Sequence, residues 1–463
     1  MNRENEWYVP WDEELIRKYD INAPRYTSYP TAVQFTSLQP IQVTDHLSQQ
    51  INNHSPLSLY IHIPFCEHIC FYCACNKIAT KDRDRPDKYL DMLEQEMALQ
   101  AHNFGHRPIT QLHLGGGTPT FLSTEQMTRM LDLLTVYFEW NPEVYPGEFS
   151  IELDPRETSN EMLTLLRMRG FNRVSFGVQD FNHETQVAIN RVQSFELVKE
   201  KVDKARALGY ASVNFDLICG LPKQTTASFT ESWKKTLQLS PDRISLYNYA
   251  HLPERFKPQR RIDSKTVPIA DEKLTILRDS IELLQNEGYI YIGMDHFAKP
   301  TDELSKALKE GTLQRNFQGY STQGQTDMLA LGVSGISQIN GAFLQNHHEV
   351  EPYEALIEQK QLTIKRGLFL NKDDKIRQWS ISQLACQGTL SLSEASEKFN
   401  INAVEYFDSE WQRMKELAED GLVEIKSDVV KVKPLGRLLL RPILLAFDVY
   451  FNAQNAQRFS KVL

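Results

Sequence analysis

The sequence contains no run of about eighteen apolar residues, the length a helix needs to cross a bilayer. Its most apolar stretch, LLLRPILLAFDVYF, is broken by Arg441, Pro442 and Asp448. The N-terminus, MNRENEWYVPWDEELIRKYD, has no apolar core of signal-peptide type and is rich in acids. The expectation is a cytoplasmic protein with no membrane partner. Positive charge is also short: 51 Lys and Arg stand against 60 Asp and Glu, a net of -9. Nucleic acid is gripped by clustered cations that neutralise phosphates, so general nucleic-acid binding is not expected. Cysteine is scarce, with six residues in 463, yet four of the six lie between positions 66 and 75.

That cluster, IPFCEHICFYCACNK, has the spacing C-x-x-x-C-x-x-C over Cys66, Cys70 and Cys73, with Cys75 one residue further on. Cys66 and Cys70 are too close in sequence for a useful loop-closing bridge, and in a reducing compartment clustered thiols mean metal or redox chemistry. A tetrahedral zinc site usually draws on two ligand pairs, and the sequence has no second pair. Three thiolates can instead hold three irons of a 4Fe-4S cluster and leave the fourth iron open. Cys219 and Cys386 stand alone and read as buried small hydrophobes.

The length suits one barrel-sized domain with one or two smaller ones, and 41% hydrophobic residues can bury a sizeable core. A phrase of amphipathic helix, Gly, aromatic residue and strand recurs in LLRMRGFNRVSFGVQD, KARALGYASVNFDLICG and LLQNEGYIYIGMDHF. Gly170, Gly209 and Gly288 suit the left-handed position just past a helix end. Capping-box spacings, Ser123 to Gln126 and Thr158 to Glu161, mark helix starts. Six strand candidates, LSLYIHIPF, ITQLHLGGG, FSIELDP, RVSFGVQD, SVNFDLICG and RISLYNYAH, alternate with helices, and YIYIGMDHF is a possible seventh. The fold expected is α/β, an incomplete parallel (β/α)6 barrel. Every strand ends in polar or small residues: Tyr60 and His62, Gly115 to Thr118, Glu152 and Asp154, Gln179 and Asp180, Asp216, Asn248. Active sites form at that end of parallel barrel strands. Beyond about residue 366 the pattern turns helical and then to a hairpin, LVEIKSDVVKVKPLG, giving a winged-helix-like C-terminal domain. Residues 371–463 carry 13 cations and 13 acids, so a packing or substrate-covering role is favoured over DNA binding. The expected segments are 1–55, covering the substrate; 56–365, the catalytic partial barrel; and 366–463, the helical domain.

The three-cysteine spacing at the end of a first barrel strand, with the aromatic Tyr72 before the third Cys, resembles the radical S-adenosylmethionine (SAM) superfamily. GGGTPT at 115–120, after the second strand, resembles its glycine-rich segment, where bare backbone can approach the methionine moiety. CFYCACN, PRYTSYPTA at 24–32, NFQGYSTQG at 316–324, GRLLLR at 436–441 and the closing FSKVL are similar to the bacterial oxygen-independent coproporphyrinogen III oxidases, across essentially the whole chain.

The resemblance implies a 4Fe-4S cluster on Cys66, Cys70 and Cys73, with Cys75 nearby but not ligating. It implies two SAM molecules. The first would meet Tyr60, Tyr72, Gly116, Glu152 and Ile336; the second would meet Gly117, Thr118, Gln179, Arg191, Asp216 and Ala250. Ala74 stands where the family commonly has Gly, and Tyr72 where Phe is frequent. The implied substrate is coproporphyrinogen III, two of whose propionates become vinyl groups through a 5'-deoxyadenosyl radical, with no side-chain acid or base obligatory. The implied partners are an external one-electron donor such as flavodoxin or ferredoxin and an unknown acceptor, and the enzyme is expected to be a monomer. Arg25, Tyr26, Tyr29 and Gln318 are the substrate-contact candidates. Arg255, Lys257, Arg260 and Arg261 are further candidate cations, or a solvated face. His62, Asp295 and His296 could tune the cluster or handle protons, or be satisfied core residues. Two competing readings within the superfamily are a heme-trafficking chaperone and a methyltransferase that opens heme. Relatives of the chaperone type typically lack both the PRYTSYP segment and the Cys at the position of Cys75.

Overall fold

Alternate residues of each strand carry different chemistry, and that alternation organises the molecule. In RVSFGVQ, Val174 and Phe176 lie on one face and Ser175 and Gly177 on the other, until a register shift between Gly177 and Gln179 ends the alternation. The same split runs through six strands: β1 (Leu57–Ile63), β2 (Ile109–Gly116), β3 (Glu148–Leu153), β4 (Arg173–Gln179), β5 (Ser212–Cys219) and β6 (Arg243–Asn248). They pair in parallel in that order. One face carries Leu59, Ile61, Leu112, Leu114, Phe149, Ile151, Phe176, Phe215 and Ile244, all 0–1% exposed. The other carries Ser58, Tyr60, His62, Gln111, His113, Glu148, Ser150, Glu152, Ser175, Asn214, Asp216 and Ser245. The first face can gain only by being covered with helices, the second only by polar company.

The computed structural model describes residues 7–323 and 326–451. FSKVL and Gly324 of NFQGYSTQG lie outside the described residues. Two compact units emerge. The first is Phe35–Ile276 with Gln325–Phe369; the second comprises the described parts of Met1–Gln34, Leu277–Gly324 and Leu370–Leu463.

In the first unit, helices α1 (Arg85–Phe104), α2 (Thr124–Tyr137), α3 (Asn160–Met168), α4 (Phe195–Ala207) and α5 (Thr226–Leu239) connect successive strands. Each buries an apolar stripe, such as Tyr89, Leu90, Leu93, Met97 and Phe104 of α1. The capping box predicted at Ser123 and Gln126 is present. The one placed at Thr158 is corrected. Ser159 accepts from the Met162 amide and starts α3, while the Thr158 hydroxyl turns back to the Asp154 carbonyl at 2.7 Å. Gly170 and Gly209 take positive φ of 98° and 77°, as the sequence predicted.

The six parallel strands are as expected, and YIYIGMDHF adds to the same sheet not one further strand but two. That stretch is an antiparallel hairpin of Ile290–Gly293 and His296–Ala298 in the second unit, because Gly293 and Met294 turn the chain with φ of 150° and 50°. The seventh parallel strand is β7 (Asp327–Leu331), on the open side of β1. Antiparallel β8 (Ile336–Ile339), β9 (Ala342–Asn346) and β10 (Ile364–Phe369) continue the sheet, with Thr36–Ser37 at its edge. Among the described residues the sheet does not close on itself.

The second unit contains the winged-helix-like part: helices Lys372–Ser382, Leu392–Phe399 and Asp408–Glu419 with a sheet of Thr389–Ser391, Val429–Val432 and Val423–Lys426. Cys219 and Cys386 are buried, as their isolation suggested. Among the described residues no helix is long and apolar enough to cross a membrane.

Candidate functional site

The cysteine loop leaves β1 through Pro64 and returns at Ile78 and Thr80, whose amides donate to the Pro64 and Cys66 carbonyls at 2.7 and 2.9 Å. All four thiols are free; Cys66 and Cys70 are buried, Cys73 is half-buried and Cys75 is exposed. Each of the first three sulfurs meets a donor. Thr118 Oγ1 donates to Cys66 Sγ at 3.5 Å, Arg191 Nη1 to Cys70 Sγ at 3.4 Å, and the Cys75 amide to Cys73 Sγ at 3.4 Å. Burial pushes the Cys66 thiol up to about 12. Cys73 is held down to about 5, chiefly by the hydrogen bond from Cys75 and further by Lys77. The same hydrogen bond pushes Cys75 up. The one group of three ligand atoms within 4.8 Å of one another, among the described residues, is Glu67, His68 and Glu157, not the cysteines. The cysteine sulfurs therefore do not converge on one ion. A cluster binds each thiolate to a separate iron, and the donor set fits it.

The glycine-rich segment locks onto this loop. Gly117 and Thr118 amides donate to the Ile63 and Phe65 carbonyls, both at 2.8 Å. A Cβ on Gly117 would stand 2.6 Å from the Phe65 carbonyl oxygen, and one on Gly116 2.8 Å from the His62 ring. Bare backbone is needed here by the protein's own packing. Beside it, Tyr60 donates to His62 Nδ1 at 3.1 Å, and His62 Nε2 donates to the Asn76 carbonyl at 3.0 Å. Both ring nitrogens are thus used and, with burial lowering its pKa, His62 is neutral. His113 stacks on Tyr60 at 5.9 Å, meets Ser150 Oγ at 2.7 Å and lies 3.5 Å from Glu152. Burial pushes Glu152 up, but His113 and the Gly116 amide outweigh it and hold the carboxyl low. Its side chain is 48% exposed, an accessible anion on the inner sheet face.

Further along the strand ends, Arg191 is buried and gives four of its guanidinium contacts to the chain itself. Nη1 reaches Asp154 at 2.8 Å, while Nε and Nη2 reach the Gly177 carbonyl at 3.2 and 2.7 Å. A Cβ on Gly177 would lie 2.8 Å from Arg191 Nη2, so a larger residue there would push the guanidinium aside. Gln179 is buried with φ of 65°, a left-handed backbone that costs a non-glycine residue about 1–3 kcal/mol and clusters at functional sites. Asp216 accepts from Ser175 at 2.7 Å and Asn214 at 3.0 Å; burial, with Glu152 adding to it, pushes its carboxyl up to about 6. Tyr72 packs with Phe71 against Ile189, Ile218, Leu221, Tyr249 and Ile262. Half-buried Ala250 follows Tyr249, and Ile336 opens β8. Of the basic group at 255–261, Arg261 lies over Phe71 of the cysteine loop at 5.3 Å.

Arg25, Tyr26, Tyr29 and Gln318 all fall in the second unit. Arg25 pairs with Asp295 at 3.4 Å, Tyr26 donates to Asp448 at 3.0 Å, and the Tyr29 carbonyl accepts from Gln378 at 2.9 Å. The Gln318 amide donates to Asn316 Oδ1 at 2.9 Å, and His296 packs edge-on to Tyr320 at 5.5 Å. Sequence reasoning missed His113 and Arg156. His113 carried a legible signal, alternating with Leu112 and Leu114 in phase with the polar Gln111; Arg156, in a short turn, carried none.

Residues 60–234 match the family described as the radical SAM superfamily. A Pseudomonas aeruginosa protein named oxygen-independent coproporphyrinogen III oxidase is 46% identical over 98% of this chain and 99% of its own. The chain belongs to the oxygen-independent coproporphyrinogen III oxidase family. The oxidase of the same name from Escherichia coli K12 is 44% identical over 98% of this chain and 99% of its own. A solved structure of the Escherichia coli enzyme, described as a radical SAM enzyme, superposes with a TM-score of 0.90 at 43% identity, covering 96% of this chain and all of that one. Membership of this oxidase family sets aside the chaperone and methyltransferase readings, and with it comes the superfamily's requirement for a 4Fe-4S cluster and SAM.

Proposed function

We propose that Cys66, Cys70 and Cys73 hold the cluster and that the inner strand ends bind two SAM molecules for the oxidative decarboxylation of coproporphyrinogen III to protoporphyrinogen IX. The observation that supports the cluster assignment is the donor set: at least one N–H or O–H to each of these three sulfurs, with Cys75 itself a donor. A cluster held by these cysteines would supply the single electron that reductive cleavage of SAM requires, and SAM would supply the hydrogen-abstracting group. Each of two propionates loses a hydrogen atom from its β carbon, then carbon dioxide and one electron to an external acceptor.

The chain's own residues bind and orient. Glu152, kept ionised by His113, accepts from the ammonium of the first SAM, whose other contacts are Tyr60, Tyr72, Gly116 and Ile336. Gly117, Thr118, Gln179, Arg191, Asp216 and Ala250 take the second. Arg25, Tyr26, Tyr29 and Gln318 meet the substrate, whose four carboxylates require local cations in an acidic chain. The segment 1–55 shields a carbon radical from water, 56–365 carries the chemistry, and 366–463 supports it. The electron donor is of flavodoxin or ferredoxin type, the acceptor is a separate molecule, and the enzyme acts as a monomer in the cytoplasm.

The test is an anaerobic assay of the reconstituted protein with SAM, a reductant, an electron acceptor and coproporphyrinogen III. Carbon dioxide release together with protoporphyrin after oxidation is expected; the absence of both sinks the reading. Alongside it, Cys66→Ser, Cys70→Ser and Cys73→Ser should each abolish the iron-sulfur absorbance near roughly 400 nm. Cys75→Ser should keep most of its iron, and equal loss in that variant would overturn the three-ligand assignment.

A further inference from the structure

Two guanidinium groups converge on a single sulfur. Arg191 Nη1 is 3.4 Å and Arg156 Nη2 3.9 Å from Cys70 Sγ. The same two nitrogens donate to one oxygen, Asp154 Oδ2, at 2.8 and 2.7 Å. Asp154 thereby fixes both arginines, and it is itself fixed at the end of β3, where its Oδ1 accepts from the amide and Nε of Arg156 at 3.0 Å. The side chains are 7–17% exposed, so the charges are weakly screened. Around Cys70 the sum is two cations against one carboxylate. Among the described residues no arginine meets the other two sulfurs: Cys66 meets a neutral hydroxyl and Cys73 a backbone amide, with the single cation Lys77 beside Cys73, its Nζ 3.4 Å from the Cys73 carbonyl.

We infer that Arg156 and Arg191, held by Asp154, set the reduction potential of the cluster through the sulfur of Cys70. Hydrogen bonds and positive charge at cluster sulfurs favour the form with the extra electron. One electron passes from the external reductant to the cluster, which goes from the 2+ to the 1+ state, and no proton or bond is exchanged in that step. Arg156 is a positioning and tuning residue, not a catalytic one. Its outer edge lines a surface pocket of about 710 Å³ with Glu67, His68, Arg83 and Glu157, so part of its charge faces water and its influence is smaller than that of Arg191. The inference rests on the three-cysteine reading.

The experiment is a redox titration of the reconstituted holoenzyme without SAM, followed by the paramagnetic signal of the reduced cluster. Arg156→Gln removes one cation and should make reduction about tenfold less favourable, a midpoint lower by 59 mV for one electron. Asp154→Asn removes the opposing carboxylate and should move the midpoint the other way. Arg156→Lys, which keeps the charge, should fall between Arg156→Gln and wild type. Iron content is measured for each. A merely structural role predicts lost iron, or shifts of the same sign in both variants. Unchanged midpoints in fully loaded Arg156→Gln would overturn the inference, as would a negative shift in fully loaded Asp154→Asn. If Asp154→Asn fails to load, the order of the two Arg156 variants decides. A wild-type protein that takes up no iron would overturn the cluster reading itself.

Discussion

At the scale of single residues, the inner sheet face mixes charges whose states differ although their side chains are alike. Glu152 is held ionised by His113 and a backbone amide, whereas Asp216 is pushed up to about 6 by burial and by Glu152. A carboxyl raised in the folded state contributes most below its unfolded value near 3.8, and that contribution is lost as pH rises through 6. Above that range the ionised form carries a penalty, about 1–2 kcal/mol once the partial exposure of Asp216 is allowed for. Asp216→Asn should therefore be more stable than wild type by about that amount at neutral pH. Its stability should also vary less across the interval between the two values, read by urea unfolding at a series of pH values. A variant less stable than wild type at neutral pH would refute this account of Asp216. Glycines offer a second contrast. Gly117→Ala drives a Cβ into the Phe65 carbonyl and should lose iron and several kcal/mol, because backbone cannot step aside. Gly209→Ala meets no atom within 4 Å and should cost only about 1 kcal/mol for its positive φ.

At the scale of elements, one buried carboxylate ties four segments together. Glu96 on α1 accepts from the Gly332 amide at 2.7 Å, Asn346 at 2.7 Å, Tyr353 at 2.8 Å and Thr363 at 3.0 Å. Tyr89, two turns earlier, receives the Val333 amide and donates to the His62 carbonyl, both within 3.0 Å. The turn between β7 and β8, which delivers Ile336, is thereby fixed to the end of β1. Glu96→Ala would leave several donors buried without a partner at roughly 1–3 kcal/mol each. Thermal unfolding should show a loss of roughly 3 kcal/mol or more, with SAM binding weakened as well; an unchanged melting temperature would count against this role. None of this was legible in the sequence. Six parallel strands were, because a two-residue rhythm of Val, Phe and Ile against Ser, His and Asp survives in each. The stretch holding β7, β8 and the start of β9 was not. DMLALGVSGISQINGAF is short runs cut by glycines, and its strands are stabilised by pairing across the sheet and by Glu96. YIYIGMDHF had the stronger local rhythm but turns at Gly293. The cysteines were legible as candidate cluster ligands by spacing and Asp154 as a polar strand end, whereas Arg156 acquires meaning only when folding brings it to Cys70.

At the scale of the whole molecule, the second unit is assembled from stretches far apart in sequence. Arg441 donates to the Ala23 and Pro24 carbonyls, Lys18 and Tyr19 both reach Asp420, and Asp448 receives Tyr26. Removing residues 370–463 should therefore release the N-terminal segment as well. Limited proteolysis of such a truncation is expected to cut before residue 35 early, while Phe35–Ile276 resists longer; equal resistance of the N-terminal segment would contradict the arrangement. The formal balance of charge in residues 371–463 predicts no salt-sensitive retention on DNA, checked by mobility shift at low ionic strength.

The two faces of the parallel sheet also bear on how this gene can change. Along each strand, residues that hold the helices alternate with polar residues that line the candidate site, so the two kinds of information interleave at single-residue spacing. Exchanging one inner residue for another rewrites chemistry and leaves the fold alone. Deleting one residue swaps the assignments downstream in that strand, turning Phe176 inward and Ser175 out. A deletion scan should therefore print the strands as silent blocks, with survivors only in the connections between them.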